Sequence, residues 1–431
     1  MLRRRTSAGD HRGTGVGLLS EDTPGTTASA GAPGTDAVGP PPRRVLAALC
    51  VTEVVSWGVL YYAFPVALSS ITADTGWSAS GTTAAFSAGL VVSALAGIPV
   101  GRWLDRFGPR WVMTGGSLLA APAAAAIALA PSPAWFALAW LVAGVAMSAV
   151  FYQAAFAALT RWYGPARVRA LTALTLVAGL ASTIFAPLTS LLLDHLSWRG
   201  TYLVLAGVLA VVTIPLHALA LTPPWSPVDG RGWPRDGPPE SVRSIVRSPG
   251  FLLLSGALTL TAFGLYSASL TLIPLLTGRD MSASLAATTL GLLGAGQLLG
   301  RIGYAPLTAR TTPTGRTVAI VAASALAIGL LAAVPGPLPL LIVLAVFAGA
   351  VRGAGTLLQA TVVADRWGSA RYGALSGWFA APITGAAALA PWAGTALAGV
   401  LGSYPALFWL LAALVAAAAG LVALAAAFPR P

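Results

Sequence analysis

Three ionisable side chains stand inside long apolar stretches of this chain: Glu53, Arg301 and Arg352. In hydrocarbon a charged group costs about 2.5–3.5 kcal/mol even on insertion-derived scales, so each needs a partner or a task. Arg352 lies midway between Pro337 and Arg366, too deep for its stem to carry the guanidinium to water. Arg301 precedes Arg310 by nine residues, about 13 Å of helix. Glu53 follows Arg44 at similar depth. A guanidinium keeps its charge in such a place and offers a planar fork matched to a carboxylate. A buried carboxyl can take up and release a proton. The chemistry these residues support is therefore anion binding and proton movement. The structural alternative is a pair between Glu53 and an arginine, or snorkelling.

Polar and aromatic residues stand in the neighbouring apolar stretches: Trp57, Tyr61, Tyr62, Tyr152, Gln153, Tyr266, Gln297, Gln359 and Trp378. Gln297 and Arg301 are spaced i,i+4 and Arg352 and Gln359 i,i+7, so each pair shares a helix face. The expected substrate-binding set is Arg301, Arg352, Tyr61, Tyr62, Gln297, Gln359 and Trp378, with Glu53 as the proton-coupling group. An enzyme would need a nucleophile with a base, or clustered metal ligands. The three histidines are scattered at His11, His195 and His217, so neither a catalytic triad nor a metal site is expected. All 25 basic residues are arginine; without lysine there is no ATP-binding P-loop and no Schiff base. No cofactor and no enzymatic activity are expected, and Cys50 is a packing residue.

The elements that must hold these groups follow from composition. The chain is 56% hydrophobic and only 9% charged over 431 residues, whereas soluble domains carry about 25% charged residues. It is an integral membrane protein, all-helical. Apolar stretches of spanning length fall near 45–70, 80–101, 111–131, 134–158, 169–193, 199–221, 249–275, 284–305, 317–333, 338–363, 372–398 and 405–428. Residues 1–42, rich in Gly, Pro, Thr and Ala, read as a disordered tail. Residues 222–248, full of Pro, Gly and charge, read as a linker between bundles at 43–221 and 249–431. The net charge of +12 does not point to nucleic acid, because the arginines outside the helices fall almost entirely on one side. That asymmetry expects both termini in the cytoplasm of a cell whose plasma (inner) membrane holds the chain. The two halves look like repeats at an offset of 204: Ser78-Ala79-Ser80 recurs at 282–284, Ala186-Pro187 at 390–391, and Pro109 at Pro313. Two pseudo-symmetric six-helix bundles follow from that offset.

Between the second and third apolar stretches runs GIPVGRWLDRFGPR, from Gly97 to Arg110. Gly97 and Gly101 share one helix face and admit a close neighbour. Asp105 follows one turn later, where a carboxylate can pair with an arginine or face a helix N-terminus. The spacing resembles the signature loop of major facilitator superfamily (MFS) transporters, G-x-x-x-D-R-x-G-x-R, matched by Gly101, Asp105, Arg106, Gly108 and Arg110. The resemblance implies twelve helices, alternating access, and a gate at this loop. In the second half the offset turns Asp105 into Ala309 and Gly101 into Ala305, leaving only Arg310 and Arg316, so the charged gate is expected to be asymmetric.

Tyr62-Ala63-Phe64-Pro65 resembles the Y-A-F-P of the first helix in the monocarboxylate-transporter and oxalate/formate-antiporter branch. The lysine that follows that proline in monocarboxylate transporters is Val66 here, and their eighth-helix D-x-x-x-R is Gln297-x-x-x-Arg301. The eleventh-helix lysine of the oxalate transporter also has no counterpart. The resemblance implies a secondary transporter of a small organic anion, driven by protons or by exchange, acting as a monomer in the lipid bilayer. A drug or metabolite exporter is the alternative.

Overall fold

The computed structural model describes residues 43–225 and 241–428. The expected tail, 1–42, and the middle of the expected linker, 226–240, lie outside the described residues.

The first pass is α1 (Arg43–Trp57), a π-helical turn (Gly58–Tyr62) and α2 (Ala63–Thr75), followed by α3 (Ala79–Phe107) and α4 (Pro109–Ala128). Then come α5 (Pro133–Val150), α6 (Tyr152–Tyr163), α7 (Arg167–Ala178), α8 (Ala181–His195) and α9 (Trp198–Ala220). A short α10 (Val242–Val246) leads into α11 (Pro249–Leu270) and α12 (Leu272–Thr277). The last five are α13 (Ala283–Arg310), α14 (Pro313–Ala333), α15 (Leu338–Trp367), α16 (Tyr372–Leu401) and α17 (Tyr404–Ala426).

Eleven helical stretches of the described residues are long and apolar enough to cross a membrane. One of them, Pro133–His195, has 63 residues, which at helical rise is about three times the ~30 Å of a bilayer core. It turns back at Gly164, whose φ of +46° lies outside the range most side chains adopt, so α5–α6 and α7–α8 are separate passes and the total is twelve. The repeats at an offset of 204 acquire a physical meaning here. Ser78 and Ser282 are the N-caps of α3 and α13, each accepting a bond from the amide three residues on. Pro109 and Pro313 are the first residues of α4 and α14, where a missing N–H loses nothing.

Three passes that the composition presents as continuous are broken, two near their middles and one toward its end. Extended backbone at Phe151 separates α5 from α6, Gly179–Leu180 separates α7 from α8, and Thr271 separates α11 from α12. Broken backbone is tolerated at membrane depth only inside protein or beside an aqueous cavity.

The halves are pressed together at the end that carries the signature loop. One apolar cluster runs from Val45, Leu49, Leu104, Ala158 and Leu171 of the first half into Leu265, Leu293, Leu357 and Phe379 of the second. The other, around Val59, Phe64, Phe86, Trp140 and Trp198, belongs to the first half. Helices α3, α6 and α7 pack on α13, α15 and α16, while α2, α8 and α12 pack within their own halves. The molecule is thus closed at the signature-loop end.

Candidate functional site

Glu53 sits in α1 with no exposed surface. Its Oε2 accepts the indole N–H of Trp57 at 3.0 Å, and its Oε1 finds no partner among the described residues. The π-helical turn begins at the next residue; one extra residue per turn there re-aims Tyr61 and Tyr62 relative to an α-helix. Trp57 stacks on Phe151 at the break before α6, with ring centroids 4.1 Å apart. Its ring also lies 5.3 Å from that of Tyr61, 6.4 Å from Tyr62 and 5.1 Å from Tyr152.

Helices α13 and α15 bring in the arginines. Gly296 and Gly300 of α13 face Gly349 and Gly353 of α15 so closely that a Cβ on any of them would run into the opposite backbone. Arg301 and Arg352 stand beside that crossing. Arg352, halfway along α15, is half-buried. Its guanidinium carbon lies 4.2 Å from the centre of the Tyr266 ring, and no hydrogen bond or ion pair ties it to the described residues. Arg301 is only 7% exposed and reaches across to the first half, donating to the carbonyl of Thr175 at 2.6 Å, in the last turn of α7. A cation at a helix C-terminus is favourably placed. The Tyr62 hydroxyl lies within electrostatic reach of both arginines, and that of Tyr152 within reach of Arg301 and Glu53.

Of the residues expected from the sequence, Glu53, Tyr61, Tyr62, Arg301 and Arg352 thus converge. Gln297 and Gln359 are half-buried on α13 and α15, and the Gln297 backbone lies in the glycine crossing. Trp378 does not join them: it is 37% exposed and its ring faces Arg102, 6.0 Å away, nearer the signature loop. The reason is its neighbour Gly377, which packs α16 against α3 and turns Trp378 outward. Tyr266, noted in the sequence but left out of the expected binding set, joins the site, and Thr175 enters it unpredicted.

At the closed end, Asp105 is 7% exposed and caps α16 of the other half. Its Oδ1 accepts from Gly373 N at 3.0 Å and its Oδ2 from Ala374 N at 2.7 Å. That approach requires glycine on both sides: a Cβ at Gly101 would strike the Gly373 carbonyl, and one at Gly377 would meet the Gly97 carbonyl at 2.6 Å. Gly97 also bonds through its carbonyl to the Gln153 amide at 3.2 Å. Gly108 holds φ +79° at the turn, Arg110 donates to the Ala218 carbonyl at 2.7 Å, and Arg106 is exposed. A second inter-half contact corrects the expected asymmetry: Asp365, at the end of α15, binds Arg167 of α7 at 2.6 Å and Arg316 of α14 at 2.5 Å. The second half therefore has its acid, moved from α13 to α15. The offset of 204 carries the signal, since it maps Arg161 onto Asp365 and Arg167 onto Arg371.

A family model described as Major Facilitator Superfamily matches residues 49–336. Monocarboxylate transporter 13 of Bos taurus is 31% identical over 256 residues, 57% of this chain and 55% of the relative, so the match spans about half the relative's length. Among solved structures, the E. coli fucose:proton symporter FucP superposes with a TM-score of 0.66 at 16% identity, covering 88% of this chain and 98% of that one. The human organic anion transporter MFSD10 gives 0.65 at 18% identity, covering 88% and 99%. At these identities the structural likeness is one of fold.

Proposed function

This chain belongs to the Major Facilitator Superfamily, a family of transporters and not enzymes, and on that premise we propose that it carries a small organic monoanion through alternating access of its two halves. The observation that carries the reading is Arg352: a guanidinium halfway along a 30-residue apolar helix, its N–H groups unclaimed by the described residues. Such a group is stabilised by an anion that reaches it, and its fork selects a carboxylate. Arg301 is the weaker candidate, because one of its nitrogens is committed to the Thr175 carbonyl; its role is to hold the halves together beside the site. The half-buried rings of Trp57 and Tyr62 complete the lining.

Glu53 is the proton-coupling group in this reading. Two arginines and one carboxylate leave one positive charge, which a monoanion neutralises. The relative's name, a monocarboxylate transporter, agrees with the anion. A cation-exporting alternative has to place its substrate against an unpaired guanidinium, which works against it.

The test is binding and flux of a panel of carboxylates by purified protein in proteoliposomes. Arg352→Lys keeps the charge and loses the fork, and should weaken carboxylate binding at least about tenfold, the scale of one charge-assisted hydrogen bond. Arg301→Lys should weaken it less. Full-affinity binding in Arg352→Lys rejects the anion reading.

A further inference from the structure

Tyr61, Tyr62, Tyr152 and Tyr266 are half-buried in the middle of the membrane region, yet their hydroxyls make no hydrogen bond to any described residue. Enclosed tyrosines normally find a partner. Elsewhere in this chain Tyr304 is bonded to Thr361 at 2.5 Å, and Tyr372 to the Ala360 carbonyl at 2.7 Å. Tyr202 lacks a partner too, but it is fully enclosed in the first half's apolar cluster. Three of the four mid-membrane hydroxyls instead lie around Arg352: those of Tyr61, Tyr62 and Tyr266 are within electrostatic reach of one another, and Arg352 reaches Tyr61 and Tyr62 and faces the Tyr266 ring. The Tyr152 hydroxyl lies toward Arg301 and Glu53.

The same residues form a continuous aromatic wall. Trp57 is in ring contact with Tyr61, Tyr62 and Tyr152, and the Tyr61 and Tyr62 rings are 5.2 Å apart. Tyr266 covers one side of the Arg352 guanidinium. A carboxylate held in the fork of Arg352 therefore has its body against π-faces and edges, with phenolic O–H groups around its rim. A short aliphatic acid leaves both unused. A flat ring gains offset or edge-to-face contacts, and an oxygen on that ring gains a hydroxyl partner.

Resting on the anion reading above, we infer that the substrate is an aromatic monocarboxylate whose ring carries an oxygen substituent. The carboxylate sits on Arg352, the ring on Trp57, Tyr61 and Tyr62, and the ring oxygen at the tyrosine hydroxyls.

The experiment is calorimetric or competition binding to the full chain in lipid nanodiscs, at one pH, of benzoate, 4-hydroxybenzoate, cyclohexanecarboxylate and lactate. Cyclohexanecarboxylate matches benzoate in size and is the more apolar, so hydrophobic burial alone favours it. Benzoate should nevertheless bind ~10-fold tighter, the scale of one or two aromatic contacts, and 4-hydroxybenzoate tighter still. Tyr62→Leu should erase the advantage of benzoate over cyclohexanecarboxylate. Tyr61→Phe and Tyr62→Phe, which keep the rings, should erase only the advantage of the hydroxyl. If cyclohexanecarboxylate or lactate equals benzoate while binding still depends on Arg352, the aromatic assignment falls and the anion reading stands. If no acid binds in an Arg352-dependent way, both fall.

Discussion

Asp105→Asn isolates the lock at the closed end. The carboxylate receives two first-turn amides of α16, at 3.0 and 2.7 Å, and faces the positive end of that helix. An asparagine offers one acceptor and turns its NH2 toward the other amide, so one bond, the formal charge and the dipole interaction go together. A hydrogen bond to a charged group is worth about 1.5–3 kcal/mol net, and the dipole term adds about 0.3–1 kcal/mol. The total is about 2–4 kcal/mol. These contacts join the two halves, so they exist only while this end is shut. Their loss should lower the ratio of closed to open molecules by roughly 30- to 700-fold, at 1.4 kcal/mol per factor of ten. Spin labels at exposed positions 111 and 310, one on each half near the loop, read the opening as a shift to longer distances by pulsed electron resonance. Native Cys50 is buried and can be replaced first. Thermal denaturation should change little, because the substitution leaves both apolar clusters untouched. An unaltered distance distribution in Asp105→Asn refutes the lock and leaves Asp105 with a purely structural role.

Other expectations follow from the same geometry. Asp365→Asn strands Arg316, whose side chain is 2% exposed, and should destabilise the protein by about 3–5 kcal/mol; the melting temperature measures this, and a drop of a degree or less contradicts it. Glu53→Gln keeps the Trp57 contact through its amide oxygen but cannot exchange a proton. It should abolish proton-driven accumulation in proteoliposomes while sparing exchange, and accumulation at the wild-type level removes Glu53 from the coupling path.

The fold was legible because its determinants are local or periodic. Twelve apolar passes, the caps at Ser78 and Ser282 and the prolines at 109 and 313 are each fixed by residues within one or two turns. Gly97 and Gly101 announced a close helix, but not which one: the partner, Gly373-x-x-x-Gly377, lies more than 270 residues away and reads as ordinary small residues until the two are brought together. Arg301 and Arg352 illustrate the same limit. As sequence they are two arginines in apolar helices, with Arg301 favoured by its motif. Only the bare Gly179 after α7 lets Arg301 reach the Thr175 carbonyl, since a Cβ there would lie 2.8 Å from its guanidinium, and only the packing of α11 on α15 slides Tyr266 under Arg352. Depth in the membrane can be counted along the chain; partnership across it cannot.

The distribution of polar contacts also sets the energy scale on which such a machine can turn. Asp105 on α16 contributes about 2–4 kcal/mol to the closed end by the bond count above. The Arg167–Asp365 bridge adds less, since the arginine side chain is 25% exposed and solvent screens it. Arg301 on Thr175 adds about one charged hydrogen bond, roughly 1.5–3 kcal/mol. Carrying a two-state equilibrium from one side to the other, 1:99 to 99:1, takes about 5.5 kcal/mol of differential binding. Three locks of this size are therefore strong enough to hold one state and weak enough for the differential binding of a substrate to overcome. Arg301 is where those two scales meet, because its guanidinium serves as a lock while lying within electrostatic reach of Tyr62 in the aromatic wall. An anion that draws it off the Thr175 carbonyl removes one lock as it binds, and an anion that leaves it in place does not.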